Sequence, residues 1–477
     1  MAVGSSNSFD LVVLGAGTGG YAAAFRAAQL GLRVALVDRY KIGGTCLHIG
    51  CIPTKAMLET ADLYAKVRKA ADYGLAVEVN GVDMAALAKR RDGVVERLHK
   101  GLQGLVKKHH VEFIRGVGRV VGHSKVEIAL LNDAFEPDGT RSLDATDVIL
   151  ATGSRVKSLP GLVPDGRAIV TSDDILRSEH LPASLAVVGA GAVGVEFASF
   201  YADMGTKVTL LEYLPSLVPL EDAEVGKELE RSFKRRGIDV ITGARFDPAA
   251  VEVTKDGVCL MVGPEGKEPA ELRAEQLLVA TGRAANVEEI GLETTRATTD
   301  KGVVQVDLRS MRTAEPHLYA IGDMVGGLWL AHVAAHEGLA AVAAVANLEP
   351  EPVDYRRMPR ATYSRPQIAS IGRSEAECER EGIAFKTGKF PWIANGKALI
   401  GGDYEGFVKV IADAATDQVL GVHMIGPHVT DLISEASAAM LLESTAWELG
   451  AAVHPHPTLS EALGEAATLV DGWAINI

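Results

Sequence analysis

Short apolar runs broken by glycine turns set the rhythm of this chain. Leu11-Val12-Val13-Leu14 predicts a buried strand, followed by a glycine-rich turn, a helix from Tyr21 to Leu30 and a second strand from Val34 to Val37. Apolar runs of this length, bounded by turns and alternating with helical periodicity, mark a βαβ unit. The order recurs as a strand Leu185 to Val188, a turn Gly189 to Gly194, a helix through Met204 and a strand Val208 to Leu211. Three more apolar runs end in small-residue turns: Val148 to Ala151 before Thr152-Gly153, Leu277 to Ala280 before Thr281-Gly282, and Leu318 to Ile321 before Gly322-Asp323. Ligand crevices of open parallel sheets lie at the carboxyl ends of strands, so these turns predict that the second unit is inserted in the first. The cluster Glu349-Pro350-Glu351-Pro352 reads as a linker. Beyond it, strand-like runs (Phe407 to Ile411, Val419 to Met424) and helical ones (Asp431 to Glu443, Thr458 to Leu469) predict a separate α+β domain. The expected fold class is α/β, with two Rossmann-like dinucleotide-binding domains, one inserted in the other. The first would span 1–153 and 282–350, the second 154–281, and the C-terminal domain 351–477.

Each glycine-rich turn has the spacing Gly-x-Gly-x-x-Gly. The first is Gly15, Gly17 and Gly20 with Asp38 eighteen residues beyond, and the second is Gly189, Gly191 and Gly194 with Glu212 at the same offset. Such glycines permit a tight turn and let backbone approach a pyrophosphate at a helix N-terminus, while the acid accepts hydrogen bonds from ribose hydroxyls. One fingerprint alone is also what an ordinary strand-to-helix turn looks like; two in full βαβ context predict two dinucleotide sites. Glu212 would bond a free 2′-hydroxyl and repel a 2′-phosphate, and Tyr213, Leu214 and Pro215 follow it rather than arginines, which favours NAD over NADP. A solvated carboxylate at a strand end is the plainer alternative.

The sharpest motif is Gly43-Gly44-Thr45-Cys46-Leu47-His48-Ile49-Gly50-Cys51-Ile52-Pro53-Thr54-Lys55. Five residues of ideal helix rise about 7.5 Å, beyond the roughly 7 Å Cα separation a disulfide tolerates. The segment must kink if these sulfurs are to bond, and Gly50 supplies the freedom. Pro53 is tolerated in the first turn of a following helix. Lys55 falls four residues after Cys51, on the same helical face, where its ammonium could stabilise a thiolate. Two inert structural cysteines or half a zinc site are the competing readings. Zinc needs four ligands, and Cys259 and Cys378 stand isolated without ligand spacing, so no metal site is expected.

Composition narrows the classes. The 477 residues are 47% hydrophobic, 23% charged and 5% aromatic, with 50 glycines, which suits helix-on-sheet packing. A net charge of −14 argues against nucleic acid or an anionic membrane as main partner. No apolar run approaches the roughly 18–20 residues of a membrane span, so no membrane insertion is expected. Met1 to Asp10 shows neither a basic region followed by an apolar stretch nor an Arg-rich pattern, which predicts a cytoplasmic protein.

Near the end stands His454-Pro455-His456-Pro457-Thr458-Leu459-Ser460-Glu461. Pro457 suits the first position of a helix, which would make His456 its N-cap and put Glu461 about one turn inside. The helix N-terminus would disfavour an imidazolium and Glu461 would favour it, a balance suited to a base that handles thiol protons. Taken alone, such a stretch is more often a surface turn.

Together these residues resemble the flavoprotein disulfide reductases, over essentially the whole chain, and within them the branch that oxidises dihydrolipoamide in 2-oxo acid dehydrogenase complexes. The resemblance implies FAD and NAD as cofactors, a redox disulfide between Cys46 and Cys51, and a two-fold homodimer built on the C-terminal domain. Lipoyl domains and the core of such a complex would be its partners. It further implies that Cys46 meets the substrate, Cys51 lies over the flavin, Lys55 pairs with Glu196 near it, and His456 is the acid/base oriented by Glu461. Asp38, Gly118, Thr152, Gly153, Ser154, Asp323 and the run Leu330-Ala331-His332 match flavin-contacting positions, and Gly189, Gly191, Gly194, Glu212 and Gly282 match the NAD site. Another flavoprotein disulfide reductase, or a docking scaffold with little turnover, is the alternative; a glutathione-type reductase would place basic residues where Glu212 and its followers stand.

Overall fold

The computed structural model describes residues 7–122 and 124–477, so most of the start inspected for a leader lies outside the described residues. The chain forms two compact units: Met1–Ala56, Ala88–Lys157 and Arg283–Tyr355 make one, and Met57–Leu87, Ser158–Gly282 and Arg356–Ile477 the other.

The first unit is built on a parallel sheet. Ser8–Leu14 lies between Val34–Asp38 and Pro137–Leu150, with Leu11 opposite Val34 and Val12 opposite Val148. Glu112–Val121 continues the sheet beside Val34–Asp38, and Leu318–Ala320 closes the other edge. The far portions of 112–121 and 137–150 pair antiparallel with Lys125–Leu131, an arrangement that the apolar rhythm did not predict. Because side chains alternate along a strand, the continuous apolar run feeds two cores. Leu11 and Val13 pack with Ala23, Ala27 and Ala341, whereas Val12 and Leu14 pack with Ile128, Leu143 and Met324. The helices Thr18–Gln29 and Ala331–Val345 meet closely: a Cβ on Gly19 would lie 2.8 Å from the Ala334 carbonyl, and one on Gly338 2.8 Å from that of Gly19.

The second unit repeats the device with a five-stranded parallel sheet, ordered Asp239–Thr242, Lys207–Glu212, Ser184–Val188, Gln276–Val279, Ile169–Thr171. Its C-terminal part is an antiparallel sheet from Arg360 to Gly426, against which Val429–Leu441 and Glu461–Thr468 pack. Lys409, fully buried in that sheet, is ion-paired to Asp222 (2.9 Å), Glu224 (2.6 Å) and Glu375 (3.0 Å). Desolvation of a lone ammonium costs several kcal/mol, so three carboxylates around it are what makes its burial tolerable.

One predicted element is shorter than expected. The helix placed at Thr458 begins at Glu461, with Ser460 as N-cap, because Thr458 is held in a turn, its hydroxyl donating to the Pro455 carbonyl and its amide to Glu461. His456 is therefore not the N-cap residue. Cys259 falls in the strand Gly257–Pro264 and Cys378 in the helix Glu375–Glu381. Among the described residues, no helix is long and apolar enough to cross a membrane.

Candidate active site

The first fingerprint forms the turn between Ser8–Leu14 and Thr18–Gln29. Gly15 has φ +106°, and a Cβ there would sit 2.1 Å from the Ala151 carbonyl oxygen; one on Gly20 would sit 1.8 Å from that of Gly15. Gly17, by contrast, has nothing within 4 Å of its missing Cβ and begins the helix with no side-chain cap. Two glycines are thus demanded by packing, and the third leaves open space at a helix end whose N–H groups lack a side-chain acceptor, which is where a pyrophosphate fits. The second fingerprint repeats this: Gly189 would meet Ala280 at 2.5 Å, Gly194 would meet Gly189 at 1.8 Å, and Gly191 meets nothing.

Each turn is clamped by its strand-end acid. The Asp38 carboxylate accepts from the Ala16 amide (2.6 Å) and the Tyr40 amide (2.7 Å), while Glu212 accepts from the amides of Ala190 (2.6 Å) and Leu214 (2.8 Å). Burial pushes the Asp38 carboxyl above its ordinary range although both amides oppose this. A carboxylate oxygen has two lone pairs, so both acids keep acceptor capacity for a ribose.

The cysteine segment is seated on the first of these turns. The Gly43 amide donates to the Ala16 carbonyl (2.8 Å), and Gly44 lies so close that a Cβ would come 2.5 Å from the Gly17 Cα. Cys46 lies in the short helix Gly44–Ile49 and Cys51 opens the next, Cys51–Arg68. Gly50 breaks them with φ −148° and ψ −115°, and a Cβ there would meet the Thr45 carbonyl oxygen at 2.8 Å. The break lets the two side chains meet, with the Cys46 thiol hydrogen-bonded to Cys51. That contact, then burial, pushes the Cys46 thiol up, with the Lys55 ammonium acting the other way. Tyr21, raised chiefly by burial, is pushed further by the charge both thiols would carry. On the outer side of the same helix, His48 Nε2 bonds the Ile42 carbonyl (2.9 Å), and its ring stands edge-on to His99 at 5.1 Å.

At the carboxyl ends of the flanking strands, Gly153 takes φ +68° and Thr152 Oγ1 donates to the Asn286 carbonyl (2.7 Å). Ser154 donates a short hydrogen bond to Asp323 and accepts one from Arg283 Nε (2.7 Å). Gly118 faces Leu14, whose Cδ2 a Cβ would approach to 2.7 Å. Leu330 caps the helix that carries Ala331 and His332. All of these lie in the first unit with the cysteines. Arg283 and Asn286 carry no sequence signal of their own, being tied to the turns only through partners far along the chain.

The remaining candidates belong to the second unit. Gly282 takes φ +108° with open space around its missing Cβ. Glu196 is buried and accepts from the Tyr363 amide (2.9 Å). His456 Nδ1 is 2.8 Å from Glu461 Oε1, and the other Glu461 oxygen accepts from the Thr458 amide (2.7 Å). Burial opposes ionisation of Glu461, but that amide and the histidine outweigh it and hold its carboxyl below the usual range. The His456 side chain is 79% exposed.

Known proteins resemble this chain over its whole length. Residues 9–338 match the family model described as pyridine nucleotide-disulphide oxidoreductase, and residues 358–467 match that family's dimerisation domain. The chain is 46% identical over 474 residues to a dihydrolipoyl dehydrogenase of Bacillus subtilis, covering 99% of this chain and 100% of that one. It is 42% identical over 473 residues to a dihydrolipoyl dehydrogenase of Zymomonas mobilis, at 99% and 100% coverage. Among solved structures, LpdA of Mycobacterium tuberculosis superimposes with a TM-score of 0.87 at 28% identity, over 96% of this chain and 98% of that one. The chain belongs to the pyridine nucleotide-disulphide oxidoreductases.

Proposed function

We propose that this protein oxidises protein-bound dihydrolipoamide to lipoamide and reduces NAD to NADH, as the shared component of a cytoplasmic 2-oxo acid dehydrogenase complex. The observation that carries the reading is the thiol pair Cys46 and Cys51, brought together across the Gly50 break and seated on a dinucleotide turn. The full-length likeness to dihydrolipoyl dehydrogenases supports the choice of substrate.

The first fingerprint with Asp38, Thr152, Gly153, Ser154 and Asp323 would hold FAD, which when bound would supply a two-electron relay to NAD. The protein's own residues manage thiols and protons. Glu461 fixes Nδ1 of His456, which leaves Nε2 to take a proton from the substrate dithiol. The resulting thiolate attacks Cys46 of the oxidised pair, breaking the Cys46–Cys51 bond and forming a mixed disulfide. The second substrate thiolate then displaces Cys46, releasing lipoamide and leaving both cysteines reduced, so two electrons have passed from substrate to protein. A two-fold homodimer through the C-terminal domain would let His456 and Glu461 of one copy serve the cysteines of the other, consistent with the exposure of His456 in the single chain.

The test is NADH formation from dihydrolipoamide, with Cys46→Ser as control. Turnover by the wild type and its loss in the variant are expected. A wild type that binds FAD yet makes no NADH from dihydrolipoamide would favour the docking-scaffold reading instead.

A further inference from the structure

Glu337 is the one acid in the alanine-rich helix Ala331–Val345, and it is 1% exposed. A carboxyl so placed needs partners. Its Oε2 accepts from the Gly322 amide at 2.6 Å, and its Oε1 accepts from the Tyr355 hydroxyl at 2.8 Å. Gly322 takes φ +74° and leads directly into Asp323, whose carboxylate is in turn engaged by Ser154. The helix carrying Glu337 is itself packed through Gly338 and Ala334 on the helix of the first fingerprint.

We propose that Glu337 is a positioning residue of the flavin site: its buried carboxyl holds the Gly322 amide and so sets the backbone from which Asp323 meets the flavin. The inference rests on the functional reading above, since it takes Asp323 as a flavin contact. Burial, with the Asp323 charge adding to it, raises the Glu337 carboxyl to about 7 against the pull of Gly322 and Tyr355. Asp323 lies in the turn, Tyr355 lies opposite, His332 and His336 share its helix, and the packed helix Thr18–Gln29 brings only Tyr21 and the exposed Arg26. Protonation on Oε1 reverses the Tyr355 bond and leaves Oε2 to accept from Gly322, so charge can change while the turn stays in place. The pyrophosphate of a bound flavin dinucleotide would bring negative charge to the first-fingerprint helix on which this helix packs, and a nearby like charge favours the protonated form. By linkage, flavin affinity then falls as pH rises past neutrality, by about tenfold for each unit that binding raises this carboxyl.

The experiment measures FAD dissociation from the full-length protein between pH 6 and 8.5, by recovery of flavin fluorescence, in the wild type, Glu337→Gln and Tyr355→Phe. The wild type should bind several-fold more weakly at the alkaline end. Glu337→Gln, which keeps an acceptor for Gly322 and cannot ionise, should retain the acid-limb affinity at every pH. Tyr355→Phe, which removes one donor to the carboxylate, should move the midpoint of the wild-type profile to higher pH. Equal pH profiles for the wild type and Glu337→Gln, or an unmoved midpoint in Tyr355→Phe, overturn the inference. Failure of the wild type to bind FAD at any pH would instead overturn the functional reading on which it stands.

Discussion

Replacing Gly50 by alanine acts on the point where two helices must part for two sulfurs to meet. The added methyl would stand 2.8 Å from the Thr45 carbonyl oxygen and 3.3 Å from the Cys46 Cα, both backbone atoms that a rotamer change cannot move. Overpacking of this kind costs about 1–3 kcal/mol. The chain relieves it by straightening the break toward continuous helix, in which residues 46 and 51 stand too far apart to bond. The cost therefore falls on the oxidised form. Since about 30 mV corresponds to 1.4 kcal/mol for a two-electron couple, the dithiol–disulfide potential should rise by roughly 20–60 mV. Equilibration in dithiol buffers of graded potential, followed by alkylation and mass measurement of the Cys46–Cys51 peptide, reads this directly. A well-folded Gly50→Ala protein whose potential matches the wild type would refute the reasoning, because the break would then have no part in joining the sulfurs.

Three further outcomes follow from other parts of the molecule. His456→Gln should slow reduction by dihydrolipoamide by ~10²-fold or more while sparing reduction by NADH, as expected for loss of a general base; stopped-flow comparison of the two half-reactions decides it, and equal losses would give His456 another role. Glu212→Ala should lower the ratio of kcat/KM for NAD over NADP by about tenfold, the worth of one charge-assisted hydrogen bond; an unchanged ratio would show that Glu212 only clamps Ala190 and Leu214. His48 and His99 are both held below their ordinary range, first by burial, so the unfolded chain binds more protons and their contribution favours unfolding as pH falls below about 6.5. The double variant His48→Asn, His99→Gln should flatten the decline of Tm between pH 7 and 5, although the fully buried His423 keeps part of it; an unaltered slope would exclude the pair as its source.

What could be read in advance was what the chain encodes locally. Both fingerprints, their terminal acids and the need for a kink at Gly50 follow from spacing and backbone sterics within a few residues. The helix at Glu461 starts later than Pro457 suggests for a local reason too: Thr458 closes a turn onto Pro455 and Glu461 before the helix begins. Other features depend on distance. Ser154 acquires meaning only through Asp323, 169 residues on, and Arg283, 129 residues on. The antiparallel excursion of Lys125–Leu131 needs partners on both sides, and its alternating pattern is shared by many surface strands. Glu337 did leave a trace, a single acid in a run of alanine and valine. Composition alone could not say whether that acid faced water or the Gly322 amide.

The twin clamps, Asp38 on Ala16 and Glu212 on Ala190, carry a consequence for how the two cofactors differ. Each acid fastens its loop through the protein's own amides, so neither loop waits for a nucleotide to take shape, and arrival of either costs little ordering entropy. Cradles so alike give neither dinucleotide an advantage, so any difference in how long each stays bound is set outside the glycine loops, by how much surrounding structure closes over each.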